Sequence, residues 1–160
     1  MALHEYLEVD PTIPSCLRWK KAPSKRVRAG SPAFTTLDVY GYMRGMFQRK
    51  HYQAHRVVFF LTHGYWAEQV DHIDGDKLNN RPDSLREVTQ NQNQHNRVCR
   101  GYYYCTTSGK YVAQIKVNSV GRTIGVYDNP VDARQAYLKA KAAEHPTAPS
   151  RCFMEVYIGL

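Results

Sequence analysis

Residues 71–97 have the sequence DHIDGDKLNNRPDSLREVTQNQNQHNR, a segment dense in side chains that bind metal ions or transfer protons. The chain around it is basic: 22 Lys and Arg residues outnumber 14 Asp and Glu residues, for a formal charge of +8 and an isoelectric point of about 9.4. A basic chain gains affinity for a polyanion from its cations, so carboxylates concentrated at one point need another purpose. A divalent cation supplies one.

The length of 160 residues suits one ordinary domain or two small modules, and we favour two modules, at 1–97 and 98–160. The charge indicates nucleic acid or an anionic membrane surface as a partner. The longest apolar run, 57–61, is too short to cross a bilayer, and the N-terminus lacks the regions of a signal peptide. We therefore expect a cytoplasmic protein. The four cysteines show no Cys-x-x-Cys spacing, which predicts reduced thiols and no structural zinc.

The pattern of residues predicts an α+β fold for the first module. Apolar spacing predicts a helix at 54–63, with Gly64 at its C-terminal end, as the core of this module. Thr89, with Gln92 three residues on, forms a capping box that begins another helix. The expected strands are 39–47, followed by a turn at 48–50, then 69–73 and 85–88.

The order strand, loop, strand, helix predicts that Asp71 and His72 face the first turn of the helix that carries Asn93. A carboxylate and an amide oxygen would then converge on a cation, and hard oxygen ligands with several waters suit Mg²⁺. His95 lies about 200° around the helix from Asn93, so the two are poorly placed to bind one ion, and we favour Asn93. His72 is left available as a base.

This segment resembles the HNH endonucleases with a ββα-metal fold, particularly those of phages and mobile introns, and the resemblance extends over residues 15–97. The matching residues are Asp71, His72, Asp74, Gly75, Asn79, Asn80, Arg81, Leu85, Thr89 and Asn93. The resemblance implies that His72 activates a water molecule and that Asp71 and Asn93 hold Mg²⁺, for which Mn²⁺ can substitute. It also implies cleavage of double-stranded DNA to 5′-phosphate and 3′-hydroxyl ends.

One position departs from the family pattern, because Ser84 stands where the family has an Asn that orients the catalytic His or its strand. Serine still forms hydrogen bonds but is shorter, so Asn80 or a water could take over this role. In a competing interpretation, His72 caps a turn, and Asp74 and Asp76 are ordinary turn residues.

Three arginines near this segment are candidates for clamping phosphate groups: Arg56, Arg81 and Arg86. Each could equally be an ion-pair partner on the surface of the protein.

The second module is predicted to contain strands at 101–105, 111–117 and 122–127, followed by a helix. Asn129 caps this helix, Pro130 takes its first position and Pro146 ends it. One face of the sheet is then covered by the helix, which leaves the other face open. The expected fold is a small three-stranded antiparallel sheet plus helix.

This pattern resembles the APETALA2-type DNA-binding domain, whose sheet enters the major groove. The resemblance implies that one set of residues faces DNA: Arg100, Tyr103, Cys105, Lys110, Gln114, Lys116 and Thr123. Arg122 is a further candidate for DNA contact. Without the resemblance, we favour a core position for each tyrosine of 102–104, and DNA contact for Gln114 and Lys116, which alternate on one strand.

These observations together predict a Mg²⁺-dependent, homing-type HNH endonuclease that prefers certain sequences and acts on double-stranded DNA. One alternative is a DNA-binding regulator with an inactive HNH module, and another is an RNA-binding protein that stacks bases on its tyrosines. A monomer that nicks one strand is the default expectation, and a dimer is possible. Residues 146–160 are expected to pack back on either module.

Overall fold

The computed structural model describes residues 3–154 of the chain. The chain divides into two compact units, Met1–Thr89 and Gln90–Leu160. Both are mixed α/β structures with small antiparallel sheets, as the sequence predicts. Residues 90–97, which the sequence interpretation assigns to the first module, group with the second unit.

The described residues of the first unit, 3–89, form three small sheets, with strand orders β1-β2, β3-β4-β5 and β6-β7. A short 3-10 helix at Pro82–Ser84 leads into the last strand. The elements in chain order are α1 (Leu3–Tyr6), β1 (Leu7–Val9), β2 (Leu17–Trp19), β3 (Thr36–Leu37), β4 (Met43–Phe47), β5 (Lys50–Gln53), α2 (Ala54–His63), β6 (Gln69–His72) and β7 (Leu85–Val88).

Helix α2 supplies the centre of this unit, as predicted. Val57 and Val58 are fully buried in one apolar cluster with Trp19 and Phe47. The helix ends at Gly64, whose φ of 83° is left-handed and whose N–H donates to the Phe60 carbonyl. Glycine reaches this conformation without a steric penalty from Cβ, which is why the chain can reverse there.

The predicted strand at 39–47 is wrong in its first half. Asp38 accepts hydrogen bonds through Oδ1 from the backbone N–H groups of Tyr40 and Tyr42, and Gly41 takes a φ of 83°. The side chain of Asp38 thereby organises a turn that competes with strand pairing. Strand β4 begins only at Met43, and the tight turn that follows it consists of Gln48 and Arg49.

The hairpin of β6 and β7 is antiparallel, and its register pairs Asp71 with Arg86 and His72 with Leu85. Strand β7 has the predicted bounds, and β6 ends one residue before the predicted 69–73. Successive side chains on a strand point to opposite faces, so Asp71 and His72 diverge.

The second unit pairs its strands in the order β10-β9-β8, and α4 lies against β9 and β10. Asn129 caps α4 by accepting from the Asp132 N–H, as predicted. The elements are α3 (Gln90–His95), β8 (Tyr102–Cys105), β9 (Lys110–Val117), β10 (Val120–Tyr127), α4 (Pro130–Glu144) and a 3-10 helix at Ser150–Phe153. The expected packing of residues 155–160 lies outside the described part of the chain.

Candidate functional site

The loop between β6 and β7 is ordered by its own carboxylates. Asp74 accepts through Oδ1 from the Asp76 N–H, and Asp76 accepts from the Leu78 N–H, each at 2.9 Å. These two acids therefore behave as turn residues, in agreement with the competing interpretation for them. Asn79 ties the loop together, because its Nδ2 donates to Asp74 Oδ2 and to Ser84 Oγ at 2.8 Å.

His72, the predicted base, lies at the end of β6 with only 5% of its surface exposed. The ring of Tyr42 stacks on it at a centroid distance of 5.9 Å, and the ring of His55 meets it edge-on at 4.9 Å. Burial lowers the pKa of His72 below its ordinary value, against opposing effects of Asn80 and the nearby carboxylates. The imidazole is therefore held in its neutral form, as a general base requires.

Asn80 and Ser84, the two candidates for orienting His72, differ in what they contact. Asn80 is buried, and its Nδ2 donates to the carbonyls of Pro14 and Leu78. This leaves Oδ1 as the atom that can accept from an imidazole, and an interaction with the Asn80 side chain raises the pKa of His72. Ser84 instead bonds Asn79, and its carbonyl accepts from the Ile73 N–H.

Asp71, the predicted metal ligand, forms an ion pair with Arg86, with 3.2 Å between Nε and Oδ2. Both side chains are partly buried, with 11% of Asp71 and 26% of Arg86 exposed. The contact follows from the register, which sets the two residues opposite one another. Arg86 thus takes the ion-pair role that the sequence left open.

The other two candidate phosphate clamps also have contacts within the first unit. Arg56 donates to the backbone carbonyls of Ala67 and Glu68 and so anchors the segment that enters β6. Arg81 pairs with Asp83 at 3.4 Å on the surface, where exposed pairs contribute little stability.

Asn93, the second predicted ligand, lies on α3 in the second unit and is exposed. Across residues 3–154 no three His, Cys, Asp or Glu side chains group as a metal site. The predicted donor pair, one carboxylate and one amide oxygen, fits a hard cation that completes its shell with water and phosphate oxygens.

The open face of the sheet in the second unit carries most of the residues expected to contact DNA. Gln114 and Lys116 are exposed and alternate with buried Ala113 and Ile115. The register pairs Tyr103 with Val112, Cys105 with Lys110, and Thr123 with Gln114, so all of these lie on the same face as Gln114 and Lys116.

Three basic residues have contacts that the sequence did not indicate. Arg122 pairs in register with buried Ile115, so it lies on the opposite face, where it bonds Glu144 at 2.6 Å. Lys110 pairs with Asp128 at 3.0 Å. Arg100, also exposed, precedes β8 and lies over the ring of Tyr102.

The expectation that each tyrosine of 102–104 is a core residue is wrong for two of them. Tyr103 and Tyr104 are 47% and 53% exposed. Alternation along the strand explains Tyr103, which points to the face opposite Tyr102 and Tyr104; nothing in the structure explains the exposure of Tyr104.

A comparison with protein families finds a match, and it covers the segment that contains His72. Residues 52–95 match the family model for HNH endonucleases. The matched segment runs from β5 into α3 and contains Asp71, His72 and Asn93. The HNH match supports a nuclease that acts on DNA. No curated protein and no solved structure matches the chain.

The HNH segment carries a second histidine that the sequence interpretation did not assign to the site. His55, in the first turn of α2, is 4% exposed and touches His72. Two sequence signals pointed to it: a histidine among apolar residues of a core helix, and the likeness of His55-Arg56 to the upstream helix of the HNH endonucleases. Within the described residues, no helix is long and apolar enough to span a membrane.

Proposed function

We propose that this chain is a Mg²⁺-dependent HNH endonuclease that hydrolyses phosphodiester bonds of double-stranded DNA. The observation that carries the proposal is the HNH match at residues 52–95, within which His72 is a buried imidazole with a lowered pKa. The charge of +8 supports a polyanionic substrate.

In this mechanism, His72 accepts a proton from a water molecule whose oxygen forms a bond to phosphorus. The bond from phosphorus to the 3′ oxygen breaks, and this oxygen takes a proton from solvent water, which leaves 5′-phosphate and 3′-hydroxyl ends. Asp71 and Asn93 would hold Mg²⁺ or Mn²⁺, which offsets the charge that develops on the leaving oxygen. Asn80, whose buried Oδ1 can accept from the imidazole, would take the place of the family Asn that Ser84 replaces.

The second unit would position the nuclease on DNA through the open face of its sheet. Gln114 and Lys116 are exposed side by side there, and they offer an amide and an ammonium group to base edges or phosphates. A sequence-preferring, homing-type enzyme with an APETALA2-like second module is the form of the proposal that we favour.

A DNA-binding regulator with an inactive HNH module is the second candidate. Two observations favour it: His72 is nearly inaccessible, and Asp71 is paired with Arg86. Catalytic contacts often form only in the complex with substrate, so these observations do not outweigh the HNH match.

The test incubates supercoiled plasmid with the protein in Mg²⁺, beside EDTA and a His72→Ala variant. We expect metal-dependent cutting that His72→Ala slows by about 10²- to 10⁴-fold, the usual contribution of a general base. The mapped ends should carry 5′-phosphate groups. DNA binding without cutting in Mg²⁺ or Mn²⁺ would establish the regulator instead.

A further inference from the structure

His55 is a polar residue in an apolar setting. It lies in the first turn of α2, is 4% exposed, and is followed on the same helix by the buried residues Val57, Val58 and Phe59. Its Nδ1 is buried and has no hydrogen-bond partner within the described residues. Burial of an unpaired polar atom disfavours the folded state, and an apolar side chain at this position would avoid that penalty.

The imidazole of His55 carries no charge near neutral pH. Burial lowers its pKa to about 3, and the nearby His72 and Arg56 act in the same direction. His55 therefore forms no ion pair near neutral pH. Any role of its ring must come from the shape of the ring and from its contacts.

The His55 ring contacts the ring of His72, the predicted base. The centroids of His55 and His72 are 4.9 Å apart, with an interplanar angle of 62°. Tyr42 completes a cluster of three rings, at 5.1 Å from His55 and 5.9 Å from His72. His72 thus has one ring stacked on it and another against it edge-on, and rotation of its imidazole would bring it into collision with one of them.

The Tyr42 ring is itself held in place. Its backbone N–H donates to Asp38 Oδ1 at 3.0 Å, and the Lys77 ammonium lies 5.0 Å from its ring centroid. Lys77 also donates to the Tyr40 carbonyl at 2.9 Å. The two rings around His72 thus come from different elements. His55 belongs to the core helix α2, and Tyr42 belongs to the turn that Asp38 organises.

We propose that His55 is a positioning residue for His72, and that its edge-on contact fixes the orientation of the His72 imidazole without touching DNA. The inference rests on the proposed nuclease function, since it assigns His55 to the machinery of that same site. On this proposal, the residues of α2 have two different roles. Val57 and Val58 stabilise the core, and His55 orients the predicted base, His72.

The first test compares His55→Leu with His63→Leu, which removes an exposed histidine from the same helix. A misplaced base costs on the order of 10²-fold in rate. We expect His55→Leu to lower the single-turnover cleavage rate to this extent, while DNA affinity measured in EDTA stays within about twofold and the melting temperature is unchanged or higher. A residue that only stabilises the fold would lower both the melting temperature and the rate. His63→Leu should leave the cleavage rate and the DNA affinity unchanged, because His63 contacts Phe59 and not His72.

The second test needs no nuclease activity. Long-range ¹⁵N–¹H spectra of the histidine rings, recorded without DNA or metal, report the tautomer of His72. We expect one tautomer in the unchanged protein and a mixture in His55→Leu, or in His55→Asn if the leucine variant does not fold. An unchanged His72 spectrum, or a full cleavage rate in His55→Leu, would overturn the inference. A protein that cuts no DNA but shows the tautomer change would refute the nuclease and leave the positioning contact intact.

Discussion

His55 and His72 are buried as neutral imidazoles, and their protonation opposes folding. The pKa of His55 falls to about 3, and that of His72 is lowered by the same cause, burial. In the unfolded chain both would titrate near the ordinary value of about 6.5. The stability that these groups contribute is thus fully present above that value and is lost as the pH falls towards the folded pKa.

This linkage predicts that the first unit loses stability in mild acid. His55 alone should lower the free energy of unfolding by about 2 kcal/mol between about pH 7.5 and about pH 5. Urea denaturation followed by tryptophan fluorescence measures this, because both tryptophans, Trp19 and Trp66, belong to the first unit. The His55→Leu variant should show a flatter pH dependence, and an equal dependence in both proteins would contradict the assignment.

The ion pair between Arg86 and Asp71 competes with the proposed cation for one carboxylate. We predict that Arg86→Gln binds Mg²⁺ about threefold to tenfold more tightly, since partly buried pairs contribute on the order of 1 kcal/mol. Isothermal titration of Mg²⁺ without DNA would measure this. Arg81→Gln, which removes the exposed pair with Asp83, is the control and should leave the affinity unchanged. Equal affinities in all three proteins would argue against Asp71 as a ligand.

The sequence predicted an element correctly where its capping residues and its apolar spacing indicate the same structure. Helix α2 with Gly64, strand β7, and helix α4 with Asn129 all follow from residues close together in sequence. The segment 39–42 was misassigned because its aromatic residues favour a strand, whereas the Asp38 side chain bonds the backbone of a turn.

The cap of α4 gives a prediction for this element. Asn129 accepts from the Asp132 N–H at 2.9 Å, so Asn129→Ala should destabilise the second unit by about 1 kcal/mol. Asn129→Ser retains a capping oxygen and should cost only a few tenths of a kcal/mol. Thermal unfolding followed by circular dichroism would compare the variants, and equal losses for Ala and Ser would show that the cap is not the cause.

The whole molecule is a basic chain whose cations are not equivalent. Lys116 is exposed on the open face of the sheet in the second unit, whereas Arg122 lies on the opposite face and bonds Glu144. Net charge alone predicts an interaction with DNA but does not distinguish these two residues.

We predict that Lys116→Gln weakens DNA binding and lowers the slope of log affinity against log salt by about 0.9, as expected for one lost phosphate contact. Arg122→Gln should leave the slope unchanged, although its charge change is the same. Fluorescence anisotropy with a labelled duplex at several salt concentrations would measure the DNA affinity and its salt slope for both variants. A larger effect of Arg122→Gln would place DNA on the other face of the sheet.

By itself, the sequence indicated a polyanionic partner, and it determined the elements with strong local signals and the HNH-like order of Asp71, His72 and Asn93. These follow from charge, caps and spacing, which depend on residues near one another in the chain. Only the tertiary structure decided that His55 and Tyr42 enclose His72, and that Arg86 pairs with Asp71. Such contacts depend on strand register and on packing between distant segments, because a shift of one residue in register moves every side chain to the other face.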